Sequence, residues 1–303
     1  MREIILKTNR LSKSYGSVKA LDSVDMTVYQ GDIYGLIGRN GAGKTTILKI
    51  VSGLIASYKG NFSLFSKTGE LTEYDKKRLG CLIENPAFFM NLTVFENLKY
   101  YAIQKGIADK KQINHVLELL NLTEQKKKKY EQLSFGMKQR LGIAFAILDN
   151  PDLLILDEPI NGIDPTGISK LRNIFEKLNR EYGTTIIISS HILSELYVCA
   201  NRFLFIDKGR VLKEISKEEL MAEIRRCIVI KTEDVRQAAV LIEKTKGISD
   251  YHVTGYNEIK IYDDRIDMNG LAKMLLINNI RINGIYEGGI SVEDYFISLV
   301  EGL

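Results

Sequence analysis

The chain has 303 residues, enough for one large domain and a smaller one, because single hydrophobic cores rarely grow past about 250 to 300 residues. Its 45% hydrophobic and 26% charged residues are ordinary for a globular protein, and a net charge of +4 is too small to argue for nucleic acid, so no nucleic-acid partner is expected. No window approaches the roughly 20 uncharged apolar residues of a membrane-spanning helix, Met1-Arg2-Glu3-Ile4 lacks the apolar core of a signal peptide, and Cys81, Cys199 and Cys227 are too scattered for a disulfide framework or a zinc site, which together predict a cytoplasmic protein with plain buried thiols.

Residues 4 to 30 alternate short apolar runs with turn residues and read as antiparallel strands, with Tyr15 between them as an aromatic able to stack on a base. Ile33-Tyr34-Gly35-Leu36-Ile37 then reads as a strand, and a helix starts at Lys44 with Ile47, Leu48, Ile50 and Val51 on its buried face. Between them, Gly38-Arg39-Asn40-Gly41-Ala42-Gly43-Lys44-Thr45-Thr46 fits the phosphate-binding pattern G-x-x-x-x-G-K-[ST] in the strand–loop–helix context that this pattern requires. Its glycines let backbone N–H groups curl around an anion, Lys44 adds a point charge, and the Thr45 hydroxyl is placed to ligate Mg²⁺.

Phe62, Leu64 and Phe65 continue a strand pattern, and from about 71 to 150 the pattern predicts an inserted helical lobe, with a strand-like run at Cys81-Leu82-Ile83. Thr93 and Glu96 form a capping box for a helix reaching about Gln104, and Ile113, Val116, Leu117 and Leu120 stripe the next helix. The lysines 126–129 read as a solvated connection. Ser134 is a natural N-cap for a helix carrying Leu141 and Phe145, and its hydroxyl with the backbone of Gly136 makes a second anion site.

Leu153-Leu154-Ile155-Leu156 reads as a buried parallel strand ending in Asp157 and Glu158 at the sheet edge where open α/β sheets bind ligands. Strand alternation predicts that these two carboxylates point to opposite faces, Asp157 toward a metal and Glu158 toward a water. Asp164-Pro165 opens a helix with Leu171, Ile174, Phe175 and Leu178 inside, and Thr185 to Ile188 is another apolar strand that delivers His191 to the same edge. The last segment reads βαββαβ, the ferredoxin-like split pattern, followed by an amphipathic helix over 292–300. The predicted fold is therefore α/β: a nucleotide-binding domain over 1–218 with an antiparallel subdomain and a helical lobe, and a small α+β domain over 219–303.

Together these motifs resemble the ATP-binding subunit of ABC transporters over residues 1 to about 215. The resemblance implies a P-loop ATPase using ATP and Mg²⁺, with Tyr15 as the adenine-stacking aromatic and Gly38 to Thr45, including Asn40, Gly41, Ala42, Gly43 and Lys44, together with Thr46, as the phosphate loop. It implies Leu133 to Gly136 as the signature, Asp157 as a metal-binding acid with Thr45, Glu158 as the catalytic glutamate, Asp164 as the acid of the following loop and His191 as the switch histidine. Phe135 and Met137 depart from the usual L-S-G-G-Q, while Ser134 and Gly136 are kept. In Leu82-Ile83-Glu84-Asn85-Pro86 a glutamate stands where the family generally has glutamine, which makes Glu84 a candidate metal and catalytic residue. That exchange and the C-terminal module are similar to subunits of bacitracin-resistance and lantibiotic-immunity exporters. The family implies a head-to-tail homodimer and a separate ABC-2-type permease that would hold the chain at the inner face of the cell membrane. The alternative, a soluble ATPase of this superfamily acting on DNA or ribosomes, is disfavoured by the compact lobe without sustained heptads and by the single cassette.

Overall fold

The computed structural model describes residues 2–69, 71–84, 87–107, 109–224, 226–244, 248, 250–263 and 266–302; Asn85 and Pro86 of the Glu84 motif lie outside them. Two compact units divide the chain, Met1–Lys217 and Glu218–Leu303.

The first unit runs β1 (Ile4–Tyr15), β2 (Val18–Tyr29), β3 (Ile33–Ile37), α1 (Lys44–Val51), β4 (Lys59–Leu64), β5 (Lys67–Thr68), α2 (Glu73–Lys77), β6 (Leu79–Leu82), α3 (Val94–Gln104) and α4 (Lys110–Leu119). It continues through α5 (Phe135–Ala146), β7 (Leu153–Asp157), α6 (Pro165–Tyr182), β8 (Thr185–Ser190), α7 (Leu193–Cys199), β9 (Arg202–Asp207) and β10 (Arg210–Ser216). One sheet is antiparallel, β2-β1-β4-β5, and its first two strands turn at Gly16, whose φ of +58° suits a residue without a Cβ. The main sheet runs β10-β9-β3-β8-β7-β6, parallel except for the β10 edge. Leu153, Leu154, Ile155 and Leu156 of β7 are wholly buried, as expected of a strand covered on both faces. The apolar side of α1 (Ile47, Leu48, Ile50, Val51) packs in one core with Leu6, Leu21 and Val28 from the antiparallel sheet and with Ile155 and Ile187 from the main one. That packing fixes the helix whose first turn follows the phosphate loop.

The interval 71–150 is not helical throughout. β6 is a strand of the main sheet, paired in parallel with β7. It takes in Cys81 and Leu82 of the strand-like run before Glu84 but begins earlier, at Leu79, and Gly80 within it is obligatory, since a Cβ there would collide with the carbonyl of Ala146 and the ring of Pro151. The helices around it follow their caps. Thr93 and Glu96 close the capping box of α3, Ser134 caps α5, and Asp164 caps α6 with proline at its first turn, each cap contributing about 1 kcal/mol.

The second unit contains α8 (Lys217–Glu223, which begins at the boundary), β11 (Arg226–Lys231), α9 (Val235–Lys244), β12 (Tyr251–Thr254), β13 (Glu258–Ile261), α10 (Met268–Ile277), β14 (Gly284–Gly289) and α11 (Val292–Glu301). Its sheet is antiparallel with order β12-β13-β11-β14, the arrangement of a ferredoxin-like βαββαβ fold. Ile228, Ile230, Ile259 and Ile261 on the sheet meet Ala238, Ile242, Leu271 and Leu275 from α9 and α10 in a core of their own.

Candidate active site

Register in the main sheet assembles the site. β3, β7 and β8 are neighbours, with Asp157 opposite Ser189 and Ile37 opposite Ser190, so the segments leaving these strands emerge side by side at their carboxyl ends. After β3 the chain makes the glycine loop. A Cβ at Gly38 would strike the carbonyl of Ile206, and one at Gly43 (φ +109°) would lie 2.7 Å from the carbonyl oxygen of Ala20, so neither position tolerates a side chain. Gly43 precedes α1 without a side-chain cap, which leaves the N–H groups of the first turn, at Lys44, Thr45 and Thr46, as donors at the positive end of the helix. Asn40 and Gly41 form the exposed tip of the loop, and Ala42 is buried beneath it.

Lys44 is almost fully buried, and its ammonium donates to the carbonyls of Gly38 (2.7 Å) and Arg39 (3.2 Å) while lying 3.1 Å from Oε1 of Glu158. The other carboxylate oxygen of Glu158 lies 2.8 Å from Nδ1 of His191. A second chain runs beside the first: the Thr45 hydroxyl donates to Oδ2 of Asp157 (2.7 Å), and the Ser189 hydroxyl donates to Oδ1 (2.5 Å). A hydroxyl and a carboxylate converging in this way are hard oxygen donors of the kind a divalent cation takes.

The expected alternation of the two acids does not hold. β7 ends at Asp157, and Glu158 leaves the strand with φ +47°, so the rule of opposite faces no longer applies to it. A left-handed non-glycine residue costs of the order of 1–3 kcal/mol. This one is held by the Ser189 hydroxyl, which accepts from the Glu158 N–H at 2.9 Å, and by the ionic contacts of its own side chain. Both carboxylates therefore border one open cleft of about 330 Å³, together with Glu84, Phe135, Gln139 and Asn161. Ser189 was not singled out from the sequence. Its only signal is its place opposite the first acid, which becomes visible once β7 and β8 are paired.

Glu84 emerges just past β6 at the same edge, with φ +65°, and its carboxylate is engaged by the Lys49 ammonium at 2.5 Å. Tyr15 ends β1, half exposed, with the Lys13 ammonium 5.1 Å from its ring centre. Ser134, Gly136 and Asp164 form a separate group. Ser134 accepts from the N–H of Met137, Asp164 accepts from the N–H of Gly167, and Gly136 faces Ile163. Among the described residues no hydrogen bond or ion pair joins that group to Lys44, Thr45 or Asp157.

A loop that offers donors to phosphates, beside a carboxylate fixed between a cation and an imidazole, is equipped for phosphoryl transfer to water. The family model described as ABC transporter matches residues 21–161. The chain is 42% identical over 302 residues to the bacitracin transport ATP-binding protein BcrA of Bacillus licheniformis, a match covering 98% of each chain. The chain belongs to the ABC transporter ATP-binding family. As a member it is an ATPase that binds nucleotide. It is also 42% identical over 225 residues to the lantibiotic transport ATP-binding protein SrtF of Streptococcus pyogenes, covering 73% of this chain and 95% of that one. Among solved structures this ATPase resembles cbiO1 of Clostridium perfringens, part of the ABC transporter complex cbiONQ (TM-score 0.65, 26% identity, 73% of this chain and 92% of that chain). A nucleotide-free ATP-binding cassette from an ABC transporter matches to the same extent (TM-score 0.65, 26% identity, 72% and 94%).

Proposed function

We propose that this ATPase powers export of a peptide antibiotic or a related compound through a separate ABC-2-type permease, working as a head-to-tail homodimer on the cytoplasmic face of the membrane. The observation that carries the catalytic part is the placement of Glu158 between Lys44 and His191 at the mouth of the glycine loop. Lys44 and the open first turn of α1 neutralise the phosphates, Glu158 orients the attacking water and takes its proton, and His191 holds the carboxylate in line. Thr45, Asp157 and Glu84 are the residues that would hold Mg²⁺, which when bound supplies charge neutralisation on the phosphate oxygens. Tyr15 is assigned to the adenine.

The chain carries one glycine loop and one signature group, and among the described residues no hydrogen bond or ion pair joins Ser134, Gly136 or Asp164 to Lys44, Thr45 or Asp157. That supports closure of each site by a second copy, whose Ser134, Gly136 and Asp164 would face the nucleotide. The export reading draws on the bacitracin and lantibiotic relatives, and no described helix is long and apolar enough to cross a membrane, which fits dependence on a permease. The rival reading, action on DNA or ribosomes, gains nothing from the lobe, whose helices α3 and α4 have 11 and 10 residues.

Affinity purification of the tagged chain from its native membrane, followed by antibiotic challenge of a strain lacking it, tests the proposal. Recovery of a permease together with heightened sensitivity to a peptide antibiotic is the expected result. Recovery of ribosomes or DNA, with sensitivity unchanged, would overturn it.

A further inference from the structure

Glu84 brings a third carboxylate to the cleft of Asp157 and Glu158, and the structure contains a partner for that charge. Lys49 lies on α1, the helix whose other end begins at Lys44, and its ammonium contacts Oε1 of Glu84 at 2.5 Å. Asp157 also lies close enough for its charge to act on Lys49. The Glu84 carboxylate is largely exposed, at 68%, whereas Lys49 is more confined, at 28%. An exposed pair of this kind contributes only about 0–1 kcal/mol to stability, so its presence is not explained by what it adds to the fold.

Its electrostatic effect is larger in context. A bare carboxylate among the phosphates of ATP would raise the cost of bringing those charges in by about 1 kcal/mol per close charge in water. Paired with Lys49, it presents a nearly neutral dipole instead. We propose that Lys49 is the positioning residue of Glu84: it neutralises that carboxylate and draws it back toward α1, releasing it only where a divalent cation competes. This rests on the reading of the cleft as the ATP site. It also gives α1 two jobs, holding phosphates at its first turn and, through Lys49, the carboxylate of Glu84 just past β6.

The test is a double-substitution cycle on the full chain with Lys49→Met, Glu84→Gln, the pair together and Lys49→Arg. Affinity for the non-hydrolysable analogue adenylyl imidodiphosphate is measured by calorimetry with and without Mg²⁺, and thermal unfolding is followed in parallel. Lys49→Met should weaken Mg²⁺-free binding by about three- to tenfold, with the loss falling below about twofold in saturating Mg²⁺. Adding Glu84→Gln should restore Mg²⁺-free affinity, Lys49→Arg should resemble the wild type, and unfolding temperatures should stay close together. A loss of affinity that is equal with and without Mg²⁺, or that persists in the double variant, would overturn the inference while leaving the ATP site intact. Failure of the wild type itself to bind the analogue would remove the reading beneath it as well.

Discussion

The ammonium of Lys44 lies 3.1 Å from the carboxylate of Glu158, so the cation that would meet phosphate is held by the group that would activate water. Phosphate binding must compete for Lys44, and Glu158 is then left with His191. Glu158→Gln removes the base and weakens the hold on Lys44. Hydrolysis should fall by roughly 10²- to 10⁴-fold with ATP binding kept or tightened, and size-exclusion chromatography with ATP should show a trapped dimer. A variant that binds ATP yet elutes only as monomer would count against a site shared between two copies.

His191 pairs with Glu158, and among the described residues no hydrogen bond or ion pair joins it to the phosphate loop; its side chain is one-third exposed. His191→Ala should therefore lower the turnover rate by about ten- to a hundredfold, while ATP affinity changes by less than about threefold. Phosphate release and nucleotide titration on the same preparation separate the two effects. An equal loss in both would move His191 from the chemistry to substrate binding.

Much of this arrangement was legible because its signals are local. Gly38 to Thr46 must curl, Ser134 and Asp164 must cap, and the apolar runs before Asp157 and Ser189 must be buried strands; the observed elements start and stop at these residues. What was illegible depends on pairing. Glu158 departs from strand alternation because β7 ends one residue earlier, and Lys49 finds Glu84 only through the packing of α1 beside the β6 edge. Short elements are harder to read: the strand-like Cys81-Leu82-Ile83 marks only the end of β6, whose start at Leu79 lies inside a helical pattern, and the β9–β10 hairpin carried no motif to draw attention to it.

Ser189 joins the two acids, donating to Asp157 and accepting from the N–H of Glu158, and it is wholly inaccessible to water. Ser189→Ala leaves the half-buried N–H of Glu158 without its acceptor and frees one oxygen of Asp157. A loss of about 1–3 kcal/mol in urea unfolding is expected, with weaker Mg²⁺ dependence of ATP binding, because Asp157 loses one of its two orienting hydroxyls. Unchanged stability would mean that water replaces the hydroxyl without cost.

Burial pushes the Cys81 thiol up to about 12 and that of Cys199 up to about 11, and it raises Cys227 as well. All three should thus be neutral thiols at pH 8 in the folded protein, and a disulfide reagent should react slowly there but rapidly after unfolding. The same shifts make stability fall with rising pH. The folded state holds protons that the unfolded chain releases from about pH 9 upward, and this contribution is lost as pH approaches the folded values. The expectation of plain buried thiols holds fully only for Cys227, since Cys81 and Cys199 are partly exposed, and fast labelling of Cys81 in the native protein at pH 8 would contradict its raised value.

Among the described residues, the side-chain hydrogen bonds and ion pairs of Lys44, Thr45, Asp157, Glu158 and His191 join only residues before Lys217, and the core around α1 is built from residues of the first unit. Lys217 itself belongs to the first unit's framework, since its N–H donates to the carbonyl of Asn201 and its ammonium to that of Val198, at the end of β9 and α7. The second unit has its own sheet and core, with no glycine loop and no pair of acids following a parallel strand. A chain stopped after Lys217 should therefore fold, bind ATP within about threefold of the full-length affinity and keep its circular dichroism. Dimer formation with ATP, or stimulation by the permease, is where a difference should appear, because a βαββαβ module with a core of its own can act between subunits. Sedimentation velocity on both lengths of the Glu158→Gln variant reads the first possibility and ATPase assays with the permease read the second. A truncated chain that is folded yet cannot bind ATP would show that the second unit completes the nucleotide site.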